Sequence, residues 1–322
     1  MFFPLFRSTG AALAIAALVP LARAQSVDPA YSGSYSLTVL GSVSGVPTNY
    51  GGLTFSQSDS NVIFLGGNAN SSSGLFYAVP VLRGAGNHVT GFGSPAALGF
   101  GTRNDGGIAY APNGAILYAE YPTANVGEVV AGGNTDHSTV SLAGLGVSGS
   151  PGALNFVPPG LNGAGQLKVA SYNGGGGFYD ITYAPDGSGG YNLTAANLIV
   201  NLPGGPEGIA YVPAGSLLFP SQSLLIAEYN TGQISSYTTD SNGNPVLASR
   251  HAFVTGLTGA EGSTIDPVTG DLLFSTFGGG NQVIEVRGFV PPPSTPLPPS
   301  LWLLGVGIGA VTLWRLLRPR NA

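Results

Sequence analysis

The chain has 322 residues, of which 8% are charged and 43% hydrophobic, and Gly (52) and Pro (25) are abundant. This hydrophobic content predicts a packed core and excludes a disordered coil, while the absence of cysteine excludes disulfides and thiolate metal sites. Residues 26–290 carry five basic and fifteen acidic side chains, a balance of −10, which excludes nucleic acid and anionic membrane surfaces as partners of this body.

Residues 1–24 contain the three regions of a secretory signal peptide in the expected order. Arg7 precedes an apolar stretch from Ala11 to Leu21, and Ala22-Arg23-Ala24 then supplies the small-x-small cleavage pattern. The apolar stretch is short for a buried helix and is flanked as a signal peptide requires. The sequence therefore predicts export, with a mature chain that starts at Gln25.

Residues 25–289 contain five units that open on similar segments. In chain order these are GLTFSQ from Gly52, GIAYAP from Gly107, ALNFVP from Ala153, GIAYVP from Gly208 and GSTIDP from Gly262. Most units continue with three more short apolar runs bounded by Gly, Pro, Asn or Asp, which predicts four strands in hairpins. A period near fifty residues, without a sustained 3.6-residue apolar period, indicates an all-β fold, a β-propeller of four-stranded blades.

The fifth unit has only three predicted strands. The segment YSLTVLGSV, from Tyr35 to Val43, precedes the first unit and has no unit of its own. If it pairs with QVIEVRGF of the last unit, the ring closes and no sheet edge is left open there. This arrangement predicts five blades; six blades stay open as an alternative if a longer unit holds an extra sheet.

Three acidic residues lie just before the predicted innermost strands of three units. Glu207 and Glu261 directly precede opening glycines, and Asp105 lies two residues before Gly107. In a propeller these positions face one end of the central channel, so the three carboxylates are expected to converge. Convergent oxygen ligands suit Ca²⁺ or Mg²⁺, so two interpretations stay open: carboxylates that each accept hydrogen bonds from turn amides, which is the commoner case, and a metal or substrate site.

The other polar residues give weaker indications. Glu120 and Glu228 end predicted second strands, where they either face the rim or bond the following turn. The histidines are far apart in sequence, and Asp136-His137 has no positioned nucleophile beside it, so no catalytic triad is predicted.

The body resembles the repeat of the NHL and SMP-30/gluconolactonase-like propellers. The resemblance rests on LLIAEYNTGQIS, EGIAYVP and IDPVTGDLLFST, and on an acidic residue that closes the second strand as Glu120 and Glu228 do. Ser171 and Ser275 stand at that position in other units, so the repeat is degenerate. The resemblance implies a propeller fold, a Glu-Gly step that supplies a metal ligand, and a metal-dependent hydrolase or lactonase as one candidate activity.

The C-terminal segment differs from the body. Residues 290–300 are proline-rich and predict an extended linker. Residues 301–322 are predicted to form a transmembrane helix with a basic tail, since the apolar run from Leu301 to Leu317 gives about 25 Å of helix at 1.5 Å per residue. Basic residues follow the run and none precedes it, so the tail is expected in the cytoplasm.

This segment resembles the PEP-CTERM sorting signal. The residues that carry the resemblance are a proline motif, a Trp-Leu-Leu-Gly helix start and an Arg cluster, namely Pro296, Leu297, Pro298, Pro299, Trp302, Arg315, Arg318 and Arg320. The resemblance implies sorting by exosortase in a Gram-negative bacterium that exports exopolysaccharide. The Glu of the Pro-Glu-Pro form is absent, so cleavage and permanent anchoring both stay open.

These observations together predict an exported surface or extracellular-matrix β-propeller that binds a ligand or partner without catalysis. The expected partners are an exosortase-type enzyme, the inner membrane, and an exopolysaccharide or another surface protein. No cofactor other than Ca²⁺ is expected. The alternative is a metal-dependent hydrolase or lactonase that uses Glu207 and Glu261.

Overall fold

The fold is built from strands alone in the part of the chain that the computed structural model describes, residues 24–292. These residues form 22 strands and four 3-10 turns, and they contain no α-helix. The 3-10 turns are Ala85–Asn87, Ala143–Leu145, Tyr229–Thr231 and Leu247–Ser249. Short apolar runs separated by Gly, Asn and Asp favour such hairpins over helices.

Two strands precede the repeated units, β1 (Ser26–Val27) and β2 (Ser36–Gly41). The first blade consists of β3 (Leu53–Phe55), β4 (Val62–Gly67), β5 (Leu75–Arg83), β6 (Val89–Phe92) and β7 (Ala96–Ala97), and β7 also pairs with β5. The second blade consists of β8 (Asn104–Tyr110), β9 (Ile116–Glu120), β10 (Asn125–Val129) and β11 (Ser138–Ser141).

The three remaining blades follow in chain order. The third consists of β12 (Pro151–Phe156), β13 (Leu167–Ser171), β14 (Gly177–Pro185) and β15 (Tyr191–Asn201). The fourth consists of β16 (Pro206–Tyr211), β17 (Ser223–Glu228), β18 (Gln233–Thr238) and β19 (His251–Thr255). The fifth contributes β20 (Ala260–Ile265), β21 (Leu272–Thr276) and β22 (Val283–Arg287). The predicted five blades are confirmed.

The ring closes through the N-terminal segment, as the sequence predicts. β2 pairs antiparallel with β22, with Leu37 opposite Val286 and Val39 opposite Ile284. β2 thereby becomes the fourth strand of the fifth blade, and the edge of β22 is covered. β1 adds a second contact that the sequence did not predict, because it pairs with β19 as a fifth strand of the fourth blade.

The apolar core lies between the facing surfaces of neighbouring blades. Between the fourth and fifth blades, for example, Phe253 and Ile234 pack in one cluster with Phe274 and Ile284, and all four are fully buried. Each blade therefore depends on both neighbours to bury its apolar faces, which couples the blades into one ring.

The first strand of each blade, β3, β8, β12, β16 or β20, faces the axis and packs against its counterparts. Glycines bring these strands very close together. A Cβ on Gly262 would lie 2.5 Å from the Cα of Gly52, and a Cβ on Gly208 would lie 2.6 Å from the carbonyl oxygen of Glu261. The axis is therefore filled by main chain at this level, where the sequence led us to expect an open channel.

Several predicted segments lie outside the described residues. These are the signal peptide except Ala24, the linker from residue 293 onward with its sorting motif, and the C-terminal transmembrane helix with its basic tail. Within residues 24–292, no helix has the length and apolar character needed to cross a membrane.

Candidate functional site

The three carboxylates singled out in the sequence come together at the axis. Asp105, Glu207 and Glu261 are each the second residue of an innermost strand, on β8, β16 and β20. One carboxylate oxygen from each of the three lies within 4.8 Å of the other two. They belong to the strands rather than to the loops before them, and we call them the axial carboxylates.

A β-bulge near each axial carboxylate turns its side chain towards the axis. The pairing register shifts between Asn104 and Ile108 in the second blade, and between Pro206 and Gly208 in the fourth. The fifth blade has the same irregularity between Ala260 and Ser263. A bulge of this kind rotates the side chains of the bulged strand relative to its partner, which brings carboxylates of three separate sheets to one point.

Blades one and three have glycine where the others have an acid. A Cβ on Gly152 of the third blade would lie 2.5 Å from Oε2 of Glu207, and a Cβ on Gly51 of the first blade would overlap the side chain of Asn104. Any side chain at these two positions would take the space that the axial carboxylates and Asn104 occupy. The glycines that replace an acid in blades one and three thus leave room for the three axial carboxylates and for Asn104.

The axial carboxylates are shielded from solvent and lack basic partners. Asp105, Glu207 and Glu261 are 1%, 3% and 1% exposed, and one oxygen of each (Oδ2, Oε2 and Oε1, respectively) is buried without a hydrogen-bond partner. The ion pairs of the described residues all involve other carboxylates. The main-chain N–H of Gly106 acts on Asp105 and Glu207, in line with the alternative of turn hydrogen bonds, but it leaves these three oxygens without a partner.

Burial is the main cause of the raised pKa values of the axial carboxylates. It raises the pKa of Asp105 to about 8, against smaller lowering effects of the Glu261 carboxyl and the Gly106 amide. Burial, followed by the charges of Asp105 and Glu261, raises the pKa of Glu207 well above its ordinary value. Burial and the charge of Asp105 do the same for Glu261.

Three buried carboxylates without a base must take up protons or a cation, because isolated buried charges are strongly unfavourable. Oxygen atoms from three strands are the ligands that Ca²⁺ and Mg²⁺ prefer. The side-chain amide of Asn70, in the first blade, lies 3.3 Å from the carbonyl oxygen of Asn104 and 3.1 Å from Oδ1 of Asp105. Its nitrogen can donate to both atoms, or its oxygen can join them as a further ligand.

Four aromatic side chains surround this end of the axis, and we call them the mouth rim. They directly follow the second strands of blades two to five: Tyr121, Tyr172, Tyr229 and Phe277. In each of these blades the last residue of the second strand pairs with the first residue of the innermost strand, so the rim and the axial carboxylates share one end of the propeller.

The rim residues pack edge to face in a continuous file. The ring centroids of Tyr121 and Tyr172 are 6.1 Å apart, those of Tyr172 and Tyr229 are 5.6 Å apart, and those of Tyr229 and Phe277 are 6.3 Å apart. All four side chains are half-buried. Burial, and then the charge of Glu207, raises the pKa of Tyr172, which places its hydroxyl within the field of the axial carboxylates.

Arg103 flanks the rim next to Tyr121. Its main-chain N–H donates to the carbonyl oxygen of Ser71 at 2.8 Å, and its carbonyl accepts from the N–H of Tyr121 at 3.0 Å. Its φ of 60° lies in the left-handed region, which is uncommon for a residue with a side chain. Of the five Lys and Arg residues in the described part, Arg103 alone forms no ion pair.

The other sequence candidates do not join this site. Glu120 accepts hydrogen bonds from Thr123 and Asn125, and Glu228 accepts from Thr231, so the expectation of bonding to the following turn is confirmed. His88 lies beside Asp271 and Glu285, and His137 lies beside Glu128 and Asp186, two groups that are separate from the axial carboxylates.

The sequence reasoning missed the mouth rim, although a signal was present. The segments AEY, ASY, AEY and STF place an aromatic residue at the same step of four units, directly after a run of buried strand residues. An aromatic at the end of a strand is usually assigned to the core, and only the shared end of the blades shows that these four meet.

No protein-family model and no curated protein matches the chain. Among solved structures, it is similar to an auxiliary nutrient binding protein from Bacteroides ovatus, with 13% identity, 79% of this chain and 76% of the other covered, and a TM-score of 0.44. It is also similar to glutaminyl cyclase from Myxococcus xanthus, with 13% identity, coverage of 79% and 95%, and a TM-score of 0.46. The PQQ-bound aldose sugar dehydrogenase from Streptomyces coelicolor has 15% identity, coverage of 77% and 83%, and a TM-score of 0.41. Likenesses of this size do not show what this chain binds.

Proposed function

We propose that the protein is an exported bacterial surface or matrix protein whose propeller binds a polysaccharide at the mouth rim without catalysis. The observation that carries the proposal is the rim itself, four half-buried aromatic side chains on four successive blades. Aromatic rings offer apolar faces to the C–H faces of sugars, and the Tyr hydroxyls supply hydrogen bonds at their edges.

The chain around the rim leaves these rings accessible. Glycines follow two of the aromatics, Gly174–Gly176 after the Tyr172-Asn173 step and Gly278–Gly280 after Phe277, so the adjoining loops add no bulky side chains there. Arg103 adds a positive charge without an ion-pair partner in the described part of the chain, in a body with a balance of −10. This combination supports a sugar polymer as ligand.

The burial of the axial carboxylates supports a role without catalysis. A general acid or base, or a catalytic metal, must reach the reacting atoms of the substrate. Asp105, Glu207 and Glu261 are at most 3% exposed and lie against main chain from neighbouring blades. The second candidate, a metal-dependent hydrolase or lactonase, is supported by the convergence of these acids and opposed by their burial.

The residues at the axis fit a divalent cation. Asp105, Glu207 and Glu261 would hold Ca²⁺, with the side-chain oxygen of Asn70 as a further ligand. A bound cation would neutralise charge that no base offsets, and it would tie the second, fourth and fifth blades together. In the proposed function it is a structural element below the binding surface.

Export and sorting are proposed from the two ends of the sequence. The N-terminal signal pattern, the proline motif and the Arg cluster support delivery by an exosortase-type enzyme from the inner membrane. Cleavage after Ala24 would leave β1, which begins at Ser26, intact for its pairing with β19. The binding body would then be displayed with its closure complete.

Replacement of Tyr172 or Tyr229 by Ala tests the binding surface. Each replacement removes an aromatic face, so we expect the affinity for a polysaccharide to fall by about fivefold or more, since a buried aromatic contact contributes about 1 kcal/mol or more. Affinity electrophoresis of residues 25–289 through gels that contain dextran or alginate measures this. The two polymers distinguish a neutral ligand from a uronate-containing one.

Tyr183→Ala is the matched control. Tyr183 is also half-buried, but its hydroxyl donates to the carbonyl of Gly165, in the loop between first and second strands, at the opposite end of the propeller. Equal retardation of all variants in both gels contradicts the proposal. Hydrolysis of a sugar lactone that depends on added metal and is lost in Glu207→Gln would instead favour the second candidate.

A further inference from the structure

A cavity lies where the N-terminal segment closes the ring. It has a volume of about 490 Å³ and lies between residues 32–36 and the end of β22. The start of β22 pairs with Ser275 beside the mouth, so its last residue, Arg287, lies at the opposite end of the propeller. This cavity is therefore separate from the mouth rim and from the axial carboxylates.

The cavity is lined by polar and basic side chains. Nine residues line it, none of them Asp or Glu, and His88 and Arg287 are its two basic side chains. Ser32, Ser34 and Ser36 add hydroxyl groups. Ser36 stands directly opposite Arg287 in the pairing of β2 with β22, so the two side chains share one face of the sheet.

Carboxylates behind the cavity hold the two basic groups in place. Nδ1 of His88 lies 2.5 Å from Oδ2 of Asp271, and Nε of Arg287 donates to Oε2 of Glu285 at 2.5 Å. Nη2 of Arg287 also donates to the carbonyl of Val89 at 3.1 Å. Both carboxylates contact the basic groups from the protein side, which fixes the orientation of these groups and offsets part of their charge.

Several donors are left unused. Within residues 24–292, no hydrogen-bond partner is found for Nη1 of Arg287 or for the hydroxyls of Ser34 and Ser36. Arginine presents its N–H groups in a planar fork that matches the oxygens of carboxylates and phosphates. The neighbouring serine hydroxyls complete a donor set for such a group, and Nε2 of His88 adds a donor whenever the ring is protonated.

We propose that this cavity binds an oxyanion group, a carboxylate or a phosphate. The ligand would contact Ser34 and Ser36 of the N-terminal segment together with Arg287 of β22, so it would bind the closed ring and hold its two ends together. Binding to the folded state alone stabilises that state by mass action. The site is independent of polysaccharide binding at the mouth rim.

Isothermal titration of the full-length protein with inorganic phosphate and with glucuronate tests the proposal, in buffer with enough sodium chloride to suppress weak surface binding. We expect millimolar or tighter binding of at least one probe, accompanied by a rise in Tm. Binding of phosphate alone identifies phosphate esters as the ligand class, and binding of glucuronate alone identifies uronates. Binding of neither probe overturns the proposal.

Ser36→Asp assigns the binding to this cavity. The new carboxylate would compete for Arg287, and we expect affinity to fall by about tenfold or more. Because Ser36 is exposed, folding is expected to survive the change. Ser141→Asp, at an exposed serine on the outer strand of the second blade, adds the same charge elsewhere and is expected to leave the affinity within about twofold. Equal affinities of both variants overturn the assignment.

Discussion

Two glutamates of the fourth blade are equally buried but opposite in character. Glu207 is on β16 and Glu228 is on the adjacent strand β17, where it pairs with Pro206. Nε and Nη2 of Arg250 donate to the two oxygens of Glu228 at 2.9 and 2.6 Å, and the Tyr237 hydroxyl donates at 2.9 Å. Glu207 has no basic partner and keeps one oxygen unpartnered.

Burial raises the pKa of both side chains, and only the partners of Glu228 outweigh that effect. Burial raises the pKa of Glu228, but the hydrogen bonds from Arg250 and Tyr237 outweigh this effect and lower the pKa below its ordinary value. Burial raises the pKa of Glu207, and the nearby charges of Asp105 and Glu261 raise it further. A blade can thus hold one glutamate as a charged structural group and another as a proton or cation site.

Loss of the base beside Glu228 should have the largest effect. Arg250→Ala leaves a buried carboxylate without its counter-charge, and removal of one partner of such a pair typically costs about 3–5 kcal/mol. The Arg250 side chain is 31% exposed, so we expect a loss of about 3 kcal/mol in the free energy of unfolding. Urea denaturation measures it.

Arg103→Ala serves as the control for this substitution. It removes the same side chain from a position without an ion pair in the described chain, and we expect a change within about 0.5 kcal/mol. If the two variants lose similar stability, the charge of Glu228 does not depend on Arg250, and the contrast with Glu207 is wrong.

Calcium should act on the axial carboxylates alone. At a Ca²⁺ concentration of about 100 times Kd, the metal-free protein should gain about 2.7 kcal/mol in the free energy of unfolding. Asp105→Asn, Glu207→Gln and Glu261→Gln should each remove most of this gain, because each takes one charged ligand from the site. Calorimetry and thermal unfolding with and without Ca²⁺ measure the effect.

Glu120→Gln is the matched control for calcium. Glu120 is also buried, but Asn125 and Thr123 donate to its carboxylate, and it lies outside the axial group. This variant should keep the full response to Ca²⁺. No binding by the wild-type protein at millimolar Ca²⁺ would exclude the metal site and leave shared protons as the state of the cluster.

The metal-free protein should become less stable as pH rises. The unfolded chain ionises Asp105 near pH 4, whereas the folded chain holds the proton until its pKa of about 8, so folding takes up a proton between these values. The contribution of Asp105 is complete below the unfolded pKa and falls by about 1.4 kcal/mol for each pH unit across this window.

Urea denaturation from pH 5 to 8 with a chelator present measures this slope. Asp105→Asn should make the curve less steep, since the amide does not titrate while the raised pKa values of Glu207 and Glu261 still contribute. Glu228 acts in the opposite direction, because its lowered pKa contributes stability that is lost only as pH falls through that pKa. A wild-type stability that is constant or rises from pH 5 to 8 would contradict a protonated axial cluster.

Much of the architecture was predictable because its signals are local. Short apolar runs and turn residues repeat with the blades, and the missing strand of the last unit matched the segment from Tyr35 to Val43. The convergence of Glu207 and Glu261 followed from their identical step before an opening glycine. β1 was missed because two residues, Ser26 and Val27, carry no periodic pattern.

The sequence by itself predicted five blades, with six left open, the closure of the ring and the meeting of three acids at one end of the axis. Tertiary structure alone decided which buried acids carry a charge. Glu207 and Glu228 both lie in apolar strands, and they differ in the groups that face them. Arg250, which lies directly before β19 and 22 residues further along the chain, reaches Glu228, whereas Gly152 of another blade faces Glu207. Such neighbours are set by the packing of whole sheets, and electrostatic interactions depend on these distances rather than on the order of residues along the chain.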